Sequence, residues 1–79
     1  MNLAEHFGAA VRRHRELLRL SQEELAGRAR IDRTYISGVE RGVRNPTLEV
    51  MQRIAEALGV DLDVVFATAR QVASIEVNR

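Results

Sequence analysis

Two helix-start signals lie only eleven residues apart in this chain, and they constrain its fold more than any other feature. Ser21 stands three residues before Glu24, the spacing of a capping box, in which the Ser hydroxyl and the Glu carboxylate each accept the other's backbone amide. A helix therefore starts at Gln22 and carries Leu25, Ala26 and Ala29 inward. Asp32 is a second good N-cap, for a helix beginning at Arg33. Only Arg30 and Ile31 remain between Ala29 and that cap, so two short helices must meet at a steep angle through a turn of three or four residues. The later helix runs to about Arg41, where Gly42 ends it. Ile36 and Val39 face inward with Tyr35 flanking them, while Arg33, Thr34, Ser37, Gly38 and Arg41 lie toward the other side and leave it small and polar.

The flanking segments also read as helices. From Leu3 to about Arg19, the residues Leu3, Phe7, Val11, His14 and Leu18 recur on one arc, with Arg12, Arg13, Glu16 and Arg19 largely off it. Pro46 holds Asn45 away from helical angles, so residues 43–46 form a loop. Thr47 caps a fourth helix with the stripe Leu48, Met51, Ile54, Ala55 and Leu58, and Gly59 followed by Val60 closes it. Asp61 caps a fifth, with Leu62, Val65, Phe66, Ala69, Val72 and Ala73 at helical spacing. Residues 74–79 alternate and permit a strand or disorder. The expectation is an all-α, five-helix single domain over residues 1–79.

Composition narrows what such a domain can do. At 79 residues one hydrophobic core is marginal without a metal, disulfides or self-association. Cysteine is absent, and His6 and His14 are the only histidines, which leaves no ordinary donor set for a metal and implies no cofactor. Self-association is the remaining support. Leu62, Val65, Phe66 and Ala69 offer more apolar surface than a four-helix core of this size covers, and they are the expected homodimer interface. No apolar run reaches the roughly 18 residues of a membrane span, and no basic-then-apolar leader opens the chain, so the cytoplasm is expected. Nothing resembles a nucleophile elbow, a Gly-rich phosphate loop or a paired-carboxylate motif, so an enzyme is not expected. The net charge of +1 is uninformative, but its distribution is not: residues 1–45 hold nine Arg against six acids, residues 46–79 three against five.

The blocks Leu20-Ser21-Gln22-Glu23-Glu24-Leu25-Ala26, Tyr35-Ile36-Ser37-Gly38-Val39-Glu40-Arg41-Gly42, Asn45-Pro46-Thr47-Leu48 and Ala57-Leu58-Gly59-Val60 carry a resemblance. In order and spacing the chain resembles the Xre/Cro/repressor helix-turn-helix family over roughly residues 7–66, and residues 67–79 then extend helix 5. The 32–41 stretch and the short length look most like controller proteins of restriction-modification systems. Two departures stand out. The turn position that is usually Gly is Arg30, with Gly27 inside helix 2, and His14 stands where Leu or Ile is usual.

The resemblance implies a lambda-repressor-like fold with helices 2 and 3 as the motif, and a homodimeric transcription regulator on a pseudo-palindromic operator in double-stranded DNA. A controller protein would act on a promoter upstream of its own gene and an endonuclease gene, activating at low occupancy and repressing at high. By residue, it implies base contacts from Arg33, Thr34 and Ser37 at the start of helix 3. Gln22, Tyr35, Arg44 and Asn45 would hold the DNA backbone, and Arg15 and Glu40 would form a structural ion pair. Gly38 is intrinsically unfavourable in a helix, and close approach to DNA is one compensation. Neither a small-molecule effector nor a membrane is implied. The competing reading is an antitoxin-like module that grips a partner polypeptide through helix 5 and the tail.

Overall fold

Four of the helices begin where a side chain accepts one of their orphan amides. The computed structural model describes residues 2–77, and among them the helices are α1 (Leu3–Leu17), α2 (Gln22–Ala29), α3 (Arg33–Glu40), α4 (Leu48–Leu58) and α5 (Leu62–Val77), with no strand. Ser21 and Glu24 close the expected capping box at 3.0 and 2.9 Å, and Asn2 and Glu5 form a second one at the start of α1 that the sequence reading did not pick out. Asp32 accepts the Thr34 amide at 2.8 Å and Thr47 that of Val50 at 3.2 Å.

Three of the helices end in a way that also packs the next residue inward, while α3 ends with the same backbone turn at Gly42 (φ 75°), the Val43 amide reaching the Gly38 carbonyl, but leaves Val43 exposed. Arg19, Arg30 and Gly59 all take left-handed backbone angles, with φ of 56°, 58° and 73°. In each case the next residue's amide reaches back to a carbonyl five positions earlier: Leu20 to Arg15, Ile31 to Ala26 and Val60 to Ala55. This is the Schellman arrangement, and in all three the residue after the left-handed one is apolar and packs inward. α1 therefore stops at Leu17, short of Arg19. At Arg30 the usual glycine is replaced by a residue that pays roughly 1–2 kcal/mol for the left-handed angle. Arg53 of α4 offsets that cost by donating its Nε to the Ala29 carbonyl at 3.2 Å and a terminal nitrogen to the Arg30 carbonyl. Helix 2 thus keeps its full length and the turn its usual form.

The core is built from Phe7 and Val11 of α1, Leu25 of α2, Ile36 and Val39 of α3, Ile54 and Leu58 of α4, and Val65 and Ala69 of α5. Phe7 and Phe66 meet as a tilted aromatic pair, 5.5 Å between centroids. α1 packs most extensively on α5. His14 lies in that interface, where the Thr68 hydroxyl oxygen is 2.8 Å from its Nε2 and 3.2 Å from the Val64 carbonyl oxygen. The histidine is accommodated because a polar partner waits on α5. At the end of the same interface His6 Nε2 meets Glu76 at 3.4 Å.

Some expectations need correction. Leu3 and Leu18, placed on the inward arc of α1, are exposed. Residues 74–77 are neither strand nor disordered but complete α5, held against α1, while Asn78 and Arg79 lie outside the described residues. No helix among the described residues is long and apolar enough to cross a membrane.

Candidate nucleic-acid interface

The orientation of α3 is fixed from behind by α1. Gly8 sits so close to the end of α3 that a Cβ there would stand 2.1 Å from the Val39 carbonyl oxygen, so only glycine permits this backbone-to-backbone approach. Two α1 turns further along is Arg15, whose Nε and a terminal nitrogen reach the Glu40 carboxylate at 2.7 and 2.9 Å while its other terminal nitrogen donates to the Leu20 carbonyl at 2.8 Å. The carboxylate is 3 % exposed and the guanidinium 12 %. Hydrogen bonding to Glu40 raises the Arg15 pKa above its ordinary value, and the opposing effect of burial is smaller. A bidentate, largely dry pair of this kind fixes direction, which is what a helix that must meet a groove at one angle requires.

Gln22 joins that pair. Its Nε2 donates to Glu40 Oε1 at 3.0 Å, a structural role the sequence reading did not assign. The amide oxygen and the second N–H remain for another partner. The signal was faint, because only folding brings the first residue of α2 to the last residue of α3.

On the outward side, Arg33 and Thr34 are exposed and Ser37 half-buried. Thr34 gives both its amide and its hydroxyl proton to Asp32, and these two bonds hold the Asp32 pKa below the ordinary aspartate range. The Thr34 hydroxyl is therefore committed as a donor, leaving its methyl and an acceptor lone pair for a ligand. Tyr35 and Arg44 are brought together: the guanidinium lies 5.8 Å from the ring centroid. Gly38, placed on the open polar side by the sequence reading, is buried, and the atoms nearest to where its Cβ would be belong to the Arg44 side chain. Asn45 is exposed and stands apart from that cluster, at the edge of an apolar groove.

The four residues expected at a homodimer interface divide. Val65 and Ala69 are 0 % and 3 % exposed inside the protomer and present no side-chain surface to a second copy, because the α5 face that carries them is covered by the protomer's own core. Leu62 and Phe66 are only partly covered. Phe66 instead lines the groove, of about 350 Å³, with Leu3, Leu48 and Met51 among its other walls. Leu3 and Leu48 are each 71 % exposed, so the unpartnered apolar surface runs across the starts of α1 and α4 as well as α5. No group of three potential metal ligands occurs among the described residues.

Comparison with known proteins agrees with this geometry. Residues 11–65 match the helix-turn-helix family model. A transcriptional regulator of Mycobacterium tuberculosis is 39 % identical over 62 residues, 78 % of this chain but 44 % of the regulator, so the chain spans under half the length of that relative. The control protein C.BamHI of Bacillus amyloliquefaciens is 45 % identical over 60 residues, covering 75 % of this chain and 74 % of its own. Among solved structures, the restriction-modification controller protein C.Esp1396I, a tetramer in complex with its natural 35 base-pair operator, superimposes with a TM-score of 0.83 at 32 % identity over 90 % of this chain and 93 % of its own. Five helices with a glycine-seated, ion-paired α3 and this agreement over most of the chain lead to one assignment: the protein belongs to the Xre-type helix-turn-helix family and is similar to the controller proteins of restriction-modification systems.

Proposed function

We propose that this chain is a sequence-specific regulator of transcription that binds double-stranded DNA as a homodimer on a pseudo-palindromic operator, in the manner of a restriction-modification controller that regulates its own promoter. The observation that carries this reading is the outward face of α3, where Arg33, Thr34 and Ser37 stand at the start of a helix whose back is locked to α1 through Arg15 and Glu40. The first turns of the second helix of such a motif enter the major groove, where Arg can take guanine N7 and O6 together and the Thr methyl can meet that of thymine. Gln22, Tyr35, Arg44 and Asn45 position the duplex without reading it. Leu62 and Phe66, joined by Leu3, Leu48 and Met51, supply the surface between two copies; Val65 and Ala69 do not. The operator-bound assembly of C.Esp1396I supports self-association on DNA.

Selection from a random duplex pool at about 0.15 M salt tests the proposal, since specific binding must exceed a salt-sensitive background. Enrichment of a two-fold symmetric site with half-sites about one helical turn apart is expected. Folded protein that enriches no site, and that co-purifies with a stoichiometric second polypeptide bound through α5, would overturn it in favour of a partner-binding module.

A further inference from the structure

α3 carries a glycine at Gly38 in its interior, where glycine is the least favourable ordinary residue for a helix. Its backbone shows no need for glycine's freedom, because its angles are helical. The requirement is one of space. A Cβ on Gly38 would lie 2.6 Å from Arg44 Cγ, and its next nearest atoms, at 3.6 Å, are Arg44 Cδ and Nε. The berth is therefore filled by one side chain, along its stem. One further bond holds the loop and one further contact holds that side chain. The Val43 amide donates to the Gly38 carbonyl at 3.0 Å, which ties the loop down immediately before Arg44. Beyond the stem, the guanidinium lies 5.8 Å from the centroid of Tyr35, which is three residues before Gly38 and so a neighbour on the same face.

We propose that Gly38 is a positioning residue for DNA binding: by lacking a Cβ it seats the stem of Arg44 on α3, so that a loop arginine is presented from the recognition helix with its guanidinium against Tyr35. An arginine left free in the loop would have to be ordered when DNA arrives, at a cost in side-chain entropy that this seat removes beforehand. Glycine here thus acts through Arg44 and has no contact of its own with the duplex. The proposal rests on the DNA-binding reading given above for its consequence, but not for the berth itself, and the two are separable by experiment.

The first measurement uses the full chain without DNA. The Arg44 guanidinium lies against the Tyr35 ring, so that ring is expected to give the main aromatic shift of the Arg44 δ protons. Those protons are expected upfield of ordinary arginine values in the wild type, and near ordinary values in both Gly38→Ala and Tyr35→Ala. The second measurement is affinity for the selected duplex across a salt series, in a cycle of Gly38→Ala, Arg44→Ala and the double variant. Arg44→Ala is expected to weaken binding about tenfold and to lower the slope of log K against log salt by about 1, as one lost phosphate contact does. Gly38→Ala should reproduce part of the affinity loss with the same change in slope, and in the Arg44→Ala background it should change affinity less than twofold. Its melting temperature should hold or rise, since alanine favours the helix. Equal losses in both backgrounds would mean that the missing Cβ makes room for the duplex itself, and would overturn the assignment. A lowered melting temperature in both backgrounds, or unshifted Arg44 protons in the wild type, would overturn it as well. If the proton shifts follow expectation but no duplex binds the wild type, the berth stands and the DNA-binding reading falls.

Discussion

Replacing Arg15 by Met isolates what the buried pair contributes. The Glu40 carboxylate is 3 % exposed and has three hydrogen bonds, two from Arg15 and one from Gln22. Without the guanidinium it keeps one neutral donor and a full charge in a largely dry site, and the Leu20 carbonyl loses its Arg15 donor too. Breaking a buried pair from one side costs about 3–5 kcal/mol, mostly the penalty of the stranded charge. For a domain of this size that is a large share of a total stability of roughly 4–12 kcal/mol. With each kcal/mol worth about 4–8 °C, the melting temperature should fall on the order of 15–30 °C. Arg15→Met combined with Glu40→Leu removes both charges and should recover most of the loss. Urea unfolding followed by circular dichroism, at one fixed protein concentration so that the proposed self-association enters all variants alike, gives all four corners of the cycle. A single-variant loss below about 1 kcal/mol, as for solvated ion pairs, or a double variant equal to the sum of the singles, would refute the argument.

Four further outcomes follow from the geometry. Gly27→Ala should raise stability by about 1 kcal/mol, because nothing lies within 4 Å of the added Cβ, whereas Gly8→Ala, facing the Val39 carbonyl, should lower it by about 3 kcal/mol; similar effects of the two would contradict the close approach of α1 to α3. Arg33→Ala should cost roughly 1–3 kcal/mol on the selected operator and relax preference at one base pair, and equal weakening on random duplexes would remove it from the base-reading set. The Asp32 pKa is depressed by Thr34, so its contribution is present above the unfolded pKa near 3.9 and is lost as pH falls through the lower folded value. Asp32→Ala should accordingly lower the urea midpoint at pH 7, with the gap from wild type closing in strong acid; a gap that persists there would tie the effect to something other than the carboxylate. Leu48→Glu and Phe66→Glu, on the groove, should each shift sedimentation toward the monomer, and dimers unaffected by both would place the interface elsewhere.

The fold was legible wherever a local rule decided it. Ser21, Asp32, Thr47 and Pro46 fix helix starts through their own side chains, and those elements lie where the spacing predicts. What the sequence hid depends on partners far along the chain. The left-handed turn at Arg30 is supported by Arg53, and Gln22 finds Glu40 only after α2 and α3 have met. Periodicity shows that α5 has an apolar stripe but not how much of it the chain's own core covers, and so it places Val65 and Ala69 in a homodimer interface when their side chains belong inside. The end of α5 looked weak because its intrinsic preferences are weak, yet packing on α1 carries the helix to Val77. Within the candidate interface, the exposed start of α3 was readable from the amphipathic pattern. The seating of Arg44 was not, since it follows from a clash that only coordinates reveal.

The extensive packing of α1 on α5 also has a temporal side. A chain is made from its N-terminus, so the helix that locks α3 through Arg15 emerges well before its main packing partner. The pairs that close the molecule, His14 with Thr68 and His6 with Glu76, are 54 and 70 residues apart. Until α5 arrives, Phe7 lacks its aromatic neighbour and the apolar face of α1 remains open to water or to other nascent chains. The tight α2–α3 turn and its caps are local and can form early, but the support that aims α3 is completed late. DNA-binding competence should thus arise only once α5 has been made, and premature termination within α5 would yield a chain with its motif present and its aim unset.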